Sequence, residues 1–253
     1  MRPFLRYCVG VVLAIVATNS QAVAATPTVD ASTSGAIAAT TSHSPTLPTC
    51  ASGKLLVATI SVDGNATTSA WTAGWNNLAG LTDEATFTTI KGDTYYKISN
   101  GSDTLSFTSS ASVPSAYVIR CFGGAHASAA PEGSTALATG TSGAPDPATS
   151  GTVSWGSDTN LFCAAVFYDR GGSAATVNGY PTNYTTDQKD TSASSAGQAV
   201  AGACKAASAD SDDPSAFSLT ASDNWMAGTY VVRPASTQSQ APRSMHQYRL
   251  RRQ

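Results

Sequence analysis

Trp71 and Trp75 stand four residues apart in SAWTAGWNNLAG (residues 69–80), among Ser, Thr, Ala, Gly and Asn. Aromatic rings stack on the apolar faces of sugars while amide and hydroxyl side chains bond the sugar hydroxyls. The same residue types also serve as core plugs beside a turn. Tyr180 and Tyr184 in NGYPTNYT and Trp155 in SWGSD extend the set of candidate stacking rings. Trp225, just before the last apolar run, is expected to plug the end of the fold, and Trp155 to pack at a strand start.

Other chemistry is thinner. The three histidines are His43, His126 and His246, and none lies in an apparent strand. They are read as loop residues, and no G-x-S-x-G elbow accompanies them. Glu84 and Glu132 are the two glutamates. The aspartates fall mostly in turn-like settings such as Gly92-Asp93 and Ser102-Asp103, where turn formation explains them. The acidic loop ADSDDPS (209–215) offers Asp210, Asp212 and Asp213 as hard oxygen ligands for calcium. It lacks the Gly and distal Glu of an EF-hand loop, so a solvated turn competes with that reading. No phosphate-cradling glycine loop or dinucleotide fingerprint is present, and no cofactor is implied.

The chain that must position these residues has 253 of them, of which only 12% are charged, well below the usual quarter. Ser, Thr, Ala and Gly fill the gap, and short Val/Ile/Thr/Tyr runs alternate with Gly, Pro, Asn and Asp. That grammar is all-β. Residues 25–234 hold eight basic against sixteen acidic side chains, a net of −8. Such a body repels phosphates, which argues against a nucleic-acid partner. Arg2 and Arg6 precede the apolar run CVGVVLAIVA (8–17), and QAVAA (21–25) follows. This reads as a signal peptide over residues 1–25, cleaved after Ala24 or Ala25, and leaves no membrane span after its removal. Arg243, Arg249, Arg251 and Arg252 make residues 235–253 a basic tail without an apolar pattern, expected to be disordered.

Once Cys8 leaves with the signal, Cys50, Cys121, Cys163 and Cys204 remain, widely spaced and without CxxC pairs. Zinc is disfavoured by that spacing. One or two disulfides suit an exported protein, with three complete pairings open, and buried thiols are the competing reading.

The chain also resembles itself. LLVATISVDG (55–64) answers LFCAAVFYDR (161–170), with Asp63 opposite Asp169. TAGWNNL (72–78) answers VNGYPTNY (177–184), placing Trp75 with Tyr180 and Leu78 with Tyr184. LSFTSSAS (105–112) answers FSLTASDN (217–224), and AYVIR (116–120) answers TYVVR (229–233). Four blocks in one order imply a duplication, with copies over about residues 28–124 and 149–234. Trp71 falls opposite Thr176, so the repeated plan does not require an aromatic there.

Strands are expected near 28–41, 55–62, 84–90, 94–98, 103–108 and 115–122. The second copy offers 149–154, 161–168, 198–207, 215–220 and 228–233. Alternation in LSFTS and FSLTA implies sheets with one buried face, hence an antiparallel sandwich over residues 26–234. Two arrangements remain open: one jelly-roll-like sandwich built from two internally similar halves, or two tandem immunoglobulin-like sandwiches.

KLLVATISVDG, the W-x-A-G-W turn, YYKISNGSDTLSFTSSASVPSAYVIR, SWGSDTNLFCAAVFYD, NGYPTNYT and DNWMAGTYVVRPA together resemble β-sandwich proteins of tailed phages and viral metagenomes. Similar modules occur in secreted bacterial proteins. The resemblance spans about residues 28–235 and implies a single jelly-roll-like sandwich in a virion-associated or extracellular surface protein. It implies binding, adhesion or assembly, with cell-surface glycans or other virion or surface proteins as partners, and no catalytic residues. The signal-like N-terminus departs from a virion protein and favours secretion. The alternative class is a secreted carbohydrate-binding module or carbohydrate-active enzyme.

Overall fold

A computed structural model of the chain describes residues 25–64, 66–82, 86–171, 174–193 and 197–235. The signal-peptide segment up to residue 24, Glu84, and the Arg-rich tail from residue 236 lie outside the described residues.

The described residues form no helix. The first half supplies β1 (Thr28–His43), β2 (Leu55–Asp63), β3 (Thr68–Ser69), β4 (Asn76–Asn77), β5 (Ile90–Ile98) and β6 (Phe107–Gly123). Between the halves lie β7 (Glu132–Gly133) and β8 (Ala138–Gly140). The second half supplies β9 (Asp158–Asp169), β10 (Val177–Gly179), β11 (Thr186–Ser192), β12 (Gln198–Ala209), β13 (Ser218–Leu219) and β14 (Trp225–Val232). One sheet runs β1-β6-β2-β5-β4, with β3 also on β6. The other runs β11-β12-β9-β14-β7, with β8 also on β14. All pairings are antiparallel.

The two sheets stack face to face. Leu55, Val57 and Phe122 of the first sheet pack with Leu161, Cys163, Cys204, Tyr230 and Val232 of the second. Ile90, Ala116 and Val118 meet Phe167, Val200 and Met226 nearby. The protein is therefore an all-β antiparallel sandwich in which each half forms its own sheet. Neither half holds a second large sheet, so the tandem immunoglobulin-like arrangement is not adopted. The outer faces are covered too. Leu56, Ala58, Ile60 and Ile119 lie beneath Trp75, Leu105 and Phe107, and Phe162, Ala164, Val166 and Ala201 lie beneath Tyr184, Phe217 and Leu219. Strands buried on both faces read as the continuous apolar runs seen in LLVATISV and LFCAAVFY.

Several sequence expectations need correction. Ile90–Ile98 is one strand, not two with a GDT turn between. Gly92 is needed for close packing: a Cβ there would stand 2.7 Å from the Phe167 ring across the sandwich. Residues 103–108 and 115–122 likewise do not form separate strands, since β6 runs unbroken from Phe107. Residues 149–154 form no strand. They dock through Ser150 N–H to Asp212 O (3.0 Å) and Val153 N–H to Asp210 O (2.8 Å). β11, sequence TDQKDTS, lacks apolar alternation and was not expected.

The duplication holds in part. β2 and β9 are both central strands, and Leu105/Phe107 and Phe217/Leu219 each cover the outer face of their own sheet. AYVIR and TYVVR are not equivalent. Tyr117 packs on the outer face, whereas Tyr230 lies between the sheets. Arg120 pairs with Val57, and Tyr230 pairs with Cys163, the counterpart of Val57. Arg120 thus corresponds to Tyr230, three positions from the sequence match.

Arg120 points into the sandwich with 1% exposure of its side chain. Its Nε donates to Asp187 Oδ2 at 2.8 Å, and its Nη2 donates to the Asp187 and Gly202 carbonyls, each at 3.0 Å. Ser32 Oγ donates to the other Asp187 oxygen at 2.6 Å. Gly202 makes room, since a Cβ there would stand 2.7 Å from Ala164 O and 3.3 Å from the guanidinium. A buried charge whose partner is removed is strongly destabilising, because nothing replaces the lost hydration. Asp187→Ala is therefore expected to destabilise the protein by about 3–5 kcal/mol. Gly202→Ala, which must displace backbone, is expected to cost about 1–3 kcal/mol. Denaturant titrations check both, and unchanged midpoints would show the ion pair to be dispensable.

Candidate functional site

The four aromatic candidates do not share a face. Trp71 and Trp75 belong to the outer cluster of the first sheet, and Tyr180 and Tyr184 to that of the second. Trp75 is buried, and its Nε1 donates to Thr104 O at 2.9 Å. Tyr184 is wholly buried, donates its hydroxyl to Asp212 Oδ2, and carries Lys205 Nζ 5.1 Å above its ring. Neither offers a ring face to a sugar. Tyr180 is half-buried against Phe217, edge to face at 5.9 Å. Burial, with the charge of Asp190, pushes its phenol up to about 12. Trp155 packs on the second cluster and donates to Asn160 Oδ1, and Trp225 is buried there, as expected of both.

Trp71, the ring without a repeated counterpart, is half-buried. It stacks on Tyr95 (3.8 Å between centroids) and on Phe107 (4.6 Å), and Phe107 in turn stacks on His43 (4.6 Å). A row of four rings thus lies across the outer face of the first sheet.

His43 is not the exposed loop residue its sequence setting suggests. It ends β1 and is fully buried. Its Nδ1 lies 2.8 Å from Ser115 Oγ and its Nε2 2.9 Å from Ser109 Oγ. Ser109 donates its own proton to Ala111 O at 2.8 Å, so it accepts from Nε2–H; with the ring neutral, Nδ1 accepts from Ser115 Oγ. Burial lowers the His43 pKa below its ordinary 6.5, against a smaller opposing contribution from the Thr40 backbone. His126 caps a turn, its Nδ1 accepting from the Ser128 and Ala129 amides. Glu132 accepts from Ser154 N–H (2.7 Å) and Oγ (2.5 Å) and fastens β7 to that loop.

The calcium reading of Asp210, Asp212 and Asp213 is not supported by their geometry. Asp212 accepts from Tyr184 and from Lys205 Nζ at 2.6 Å, Asp213 from Thr149 Oγ1 at 2.7 Å, and Asp210 from Ser211 Oγ at 3.2 Å. The three carboxylates face different partners, and an ammonium already neutralises one. Among the described residues no three His, Cys, Asp or Glu side chains converge as metal ligands. Asp63 and Asp169 end the two central strands close enough that Asp169, after burial, raises the Asp63 carboxyl above its ordinary value. Asp169 also accepts from the Gly171 amide at 2.9 Å.

The cysteines are joined as Cys50–Cys121 and Cys163–Cys204, one bond within each half. Cys163 and Cys204 are direct partners on β9 and β12.

One accessible feature that gathers polar groups is a groove at the rim of the first sheet; another, of about 510 Å³, lies between Asn77, Tyr96, Glu132, Ser134 and Thr135. One part of the rim groove, about 490 Å³, is lined by Ser44, Pro45, Leu47 and residues 103–106, and an adjoining part of about 240 Å³ adds Thr49, Cys50 and Ser102. Asp103 and Leu47 line both parts. Burial pushes the Asp103 carboxyl up, but Lys97 Nζ at 2.8 Å, Ser99 Oγ and the Asn100 amide outweigh it and hold the group below its ordinary value. Asp103 is thus a buried anion, its side chain only 3% exposed and both oxygens engaged by Lys97, Ser99 and the Asn100 amide; it holds the groove wall, and the groove itself is lined by hydroxyls. The place of Asp103 after Ser102 has the pattern of a turn, and the 44–50 segment opposite it carries no motif that signals the groove. No helix among the described residues is long and apolar enough to cross a membrane.

The chain matches no protein-family profile, no curated protein and no solved structure.

His43 sets a pH expectation. A histidine whose folded pKa lies below its unfolded value stabilises fully above about pH 6.5, and that contribution is lost as pH falls towards the folded value. Asp30 and Asp103 lie below the ordinary carboxylate value of 3.8, so their losses come at lower pH. Between about pH 7.5 and 5.5 the wild type is expected to lose more stability than His43→Gln does. Parallel pH profiles of Tm for the two proteins would show that His43 does not titrate on unfolding.

Proposed function

We propose that the protein is a non-catalytic surface protein, secreted or virion-associated, that acts by binding or assembly. The observation that carries this reading is the bracing of each half by its own disulfide, Cys50–Cys121 and Cys163–Cys204. Such bonds persist in oxidising surroundings. In the chain-entropy picture, loops spanning 71 and 41 residues each stabilise by about 4 kcal/mol. Exported material is expected to begin at Ala25 or Thr26 and to bind no thiol reagent until reduced. N-terminal sequencing with thiol titration tests this, and exported protein that retains Met1 and titratable thiols would sink the reading.

Glycan binding is the second reading, and the groove around Asp103 favours it over the aromatic positions. Its hydroxyl side chains, among them Ser44, Thr49 and Ser102, are groups that bond sugar hydroxyls. A glycan screen is expected to give hits that weaken at least about tenfold in Ser102→Trp, whose ring fills the groove. A screen without hits, or hits indifferent to that change, removes this reading.

A further inference from the structure

Four edges end the two large sheets, and exposed sheet edges invite pairing with another chain unless something blunts them. Three are blunted here. β4 is two residues long, and the β7/β8 edge is broken into strands of two and three. β11 carries Asp187, Lys189 and Asp190 along its length. β1 differs: it is 16 residues long, and between Asp30 and His43 it holds no charge and no proline.

β1 pairs with β6 on one side only. Its register there is unbroken from Ala31↔Cys121 to Ile37↔Ser115, with shifts only outside that run. In an antiparallel ladder alternate residues direct both N–H and C=O away from the partner. Among the described residues no backbone hydrogen bond reaches that outward side of Ala31–Ile37. β11 meets β1 through a side chain, Ser32 Oγ to Asp187, and no backbone pairing joins the two strands.

We propose that Ala31–Ile37 is the interface of a homodimer, in which β1 of one copy adds antiparallel to β1 of a second copy. The segment suits itself as a partner. Pairing about Ser34 sets Ala31 opposite Ile37, Ser32 opposite Ala36 and Thr33 opposite Gly35. Residues of like parity meet, so Ala31 and Ile37, which pack on the outer cluster, stay on one face across the junction. Asp30 falls opposite Ala38, so no like charges are opposed. The acidic bodies repel at long range, but salt screens this beyond about 8 Å at physiological ionic strength. Dimerisation is thus strengthened by salt.

This inference rests on the binding-or-assembly reading and names the partner. The test is sedimentation equilibrium of the intact, disulfide-bonded chain. Wild type is expected to dimerise, and Ser34→Lys and Ser34→Glu each to raise Kd by up to about fivefold through opposed like charges. An equimolar mixture of the two is expected to restore the dimer. Ala38→Glu, exposed and opposite Asp30 of the second copy, opposes like charges in the same way and serves if a Ser34 variant fails to fold, as read by circular dichroism. A wild type that stays monomeric at about 100 µM overturns the proposal. Variants that dimerise unchanged, or a mixture that stays monomeric, also overturn it. Export and thiol content are read separately. An exported, oxidised monomer defeats the dimer alone, and a dimer with free thiols in unexported material defeats the surface-protein reading alone.

Discussion

A guanidinium between two sheets sets the terms for much of this fold. Arg120 has no route to water, so its charge must be met inside. Asp187 meets it from β11 in a left-handed backbone conformation, φ 50°. Gly202 on β12 leaves both the space and a carbonyl. Ser32 on β1 holds the second Asp187 oxygen, and Lys189 stands 3.6 Å from it. Burial raises the phenol of Tyr230, and the neighbouring guanidinium works against that rise. Apolar contacts between sheets tolerate sliding; a charge with these directional partners does not. The pair therefore fixes β1 and β6 over β11 and β12 in one register.

What the sequence discloses follows from which contacts are local. Apolar runs reveal β2, β9, β12 and β14, because strands covered on both faces must be apolar throughout. β11 is invisible to that test, since it brings Asp187 to Arg120 and none of its residues is fully buried. Gly92 misleads for a similar reason. Glycine before aspartate suggests a turn, but here the ring that forbids a Cβ, Phe167, lies on the opposite sheet. AYVIR and TYVVR match as text, yet an odd shift of three turns one tyrosine outward and the other inward.

The same distinction governs the candidate site. That Trp71 lacks a repeated counterpart is legible in the sequence; that Tyr95 and Phe107 stack on it is not. His43 looks like a loop residue because its partners, Ser109 and Ser115, stand 66 and 72 positions away. The cysteine pairing needed β9 to lie beside β12 before Cys163 could face Cys204. Asp103 was visible as a turn carboxylate, but its groove exists only because the 44–50 segment passes opposite it.

Covering each sheet on both sides has a consequence for function. A sandwich with bare outer faces can bind partners on them, but here side chains of each half seal those faces, Trp75 and Phe107 on one sheet and Tyr184 and Phe217 on the other. Under the proposed binding role, rims and edges are the surfaces left for recognition. At the rim, the groove around Asp103 presents fixed polar groups on a frame held by the Cys50–Cys121 bond. In the proposed dimer, backbone rather than side chains would do the recognising at the β1 edge, which tolerates sequence drift while keeping geometry. A chain rich in Ser, Thr and Ala suits that mode, because small side chains let backbones approach without charge or bulk standing in the way.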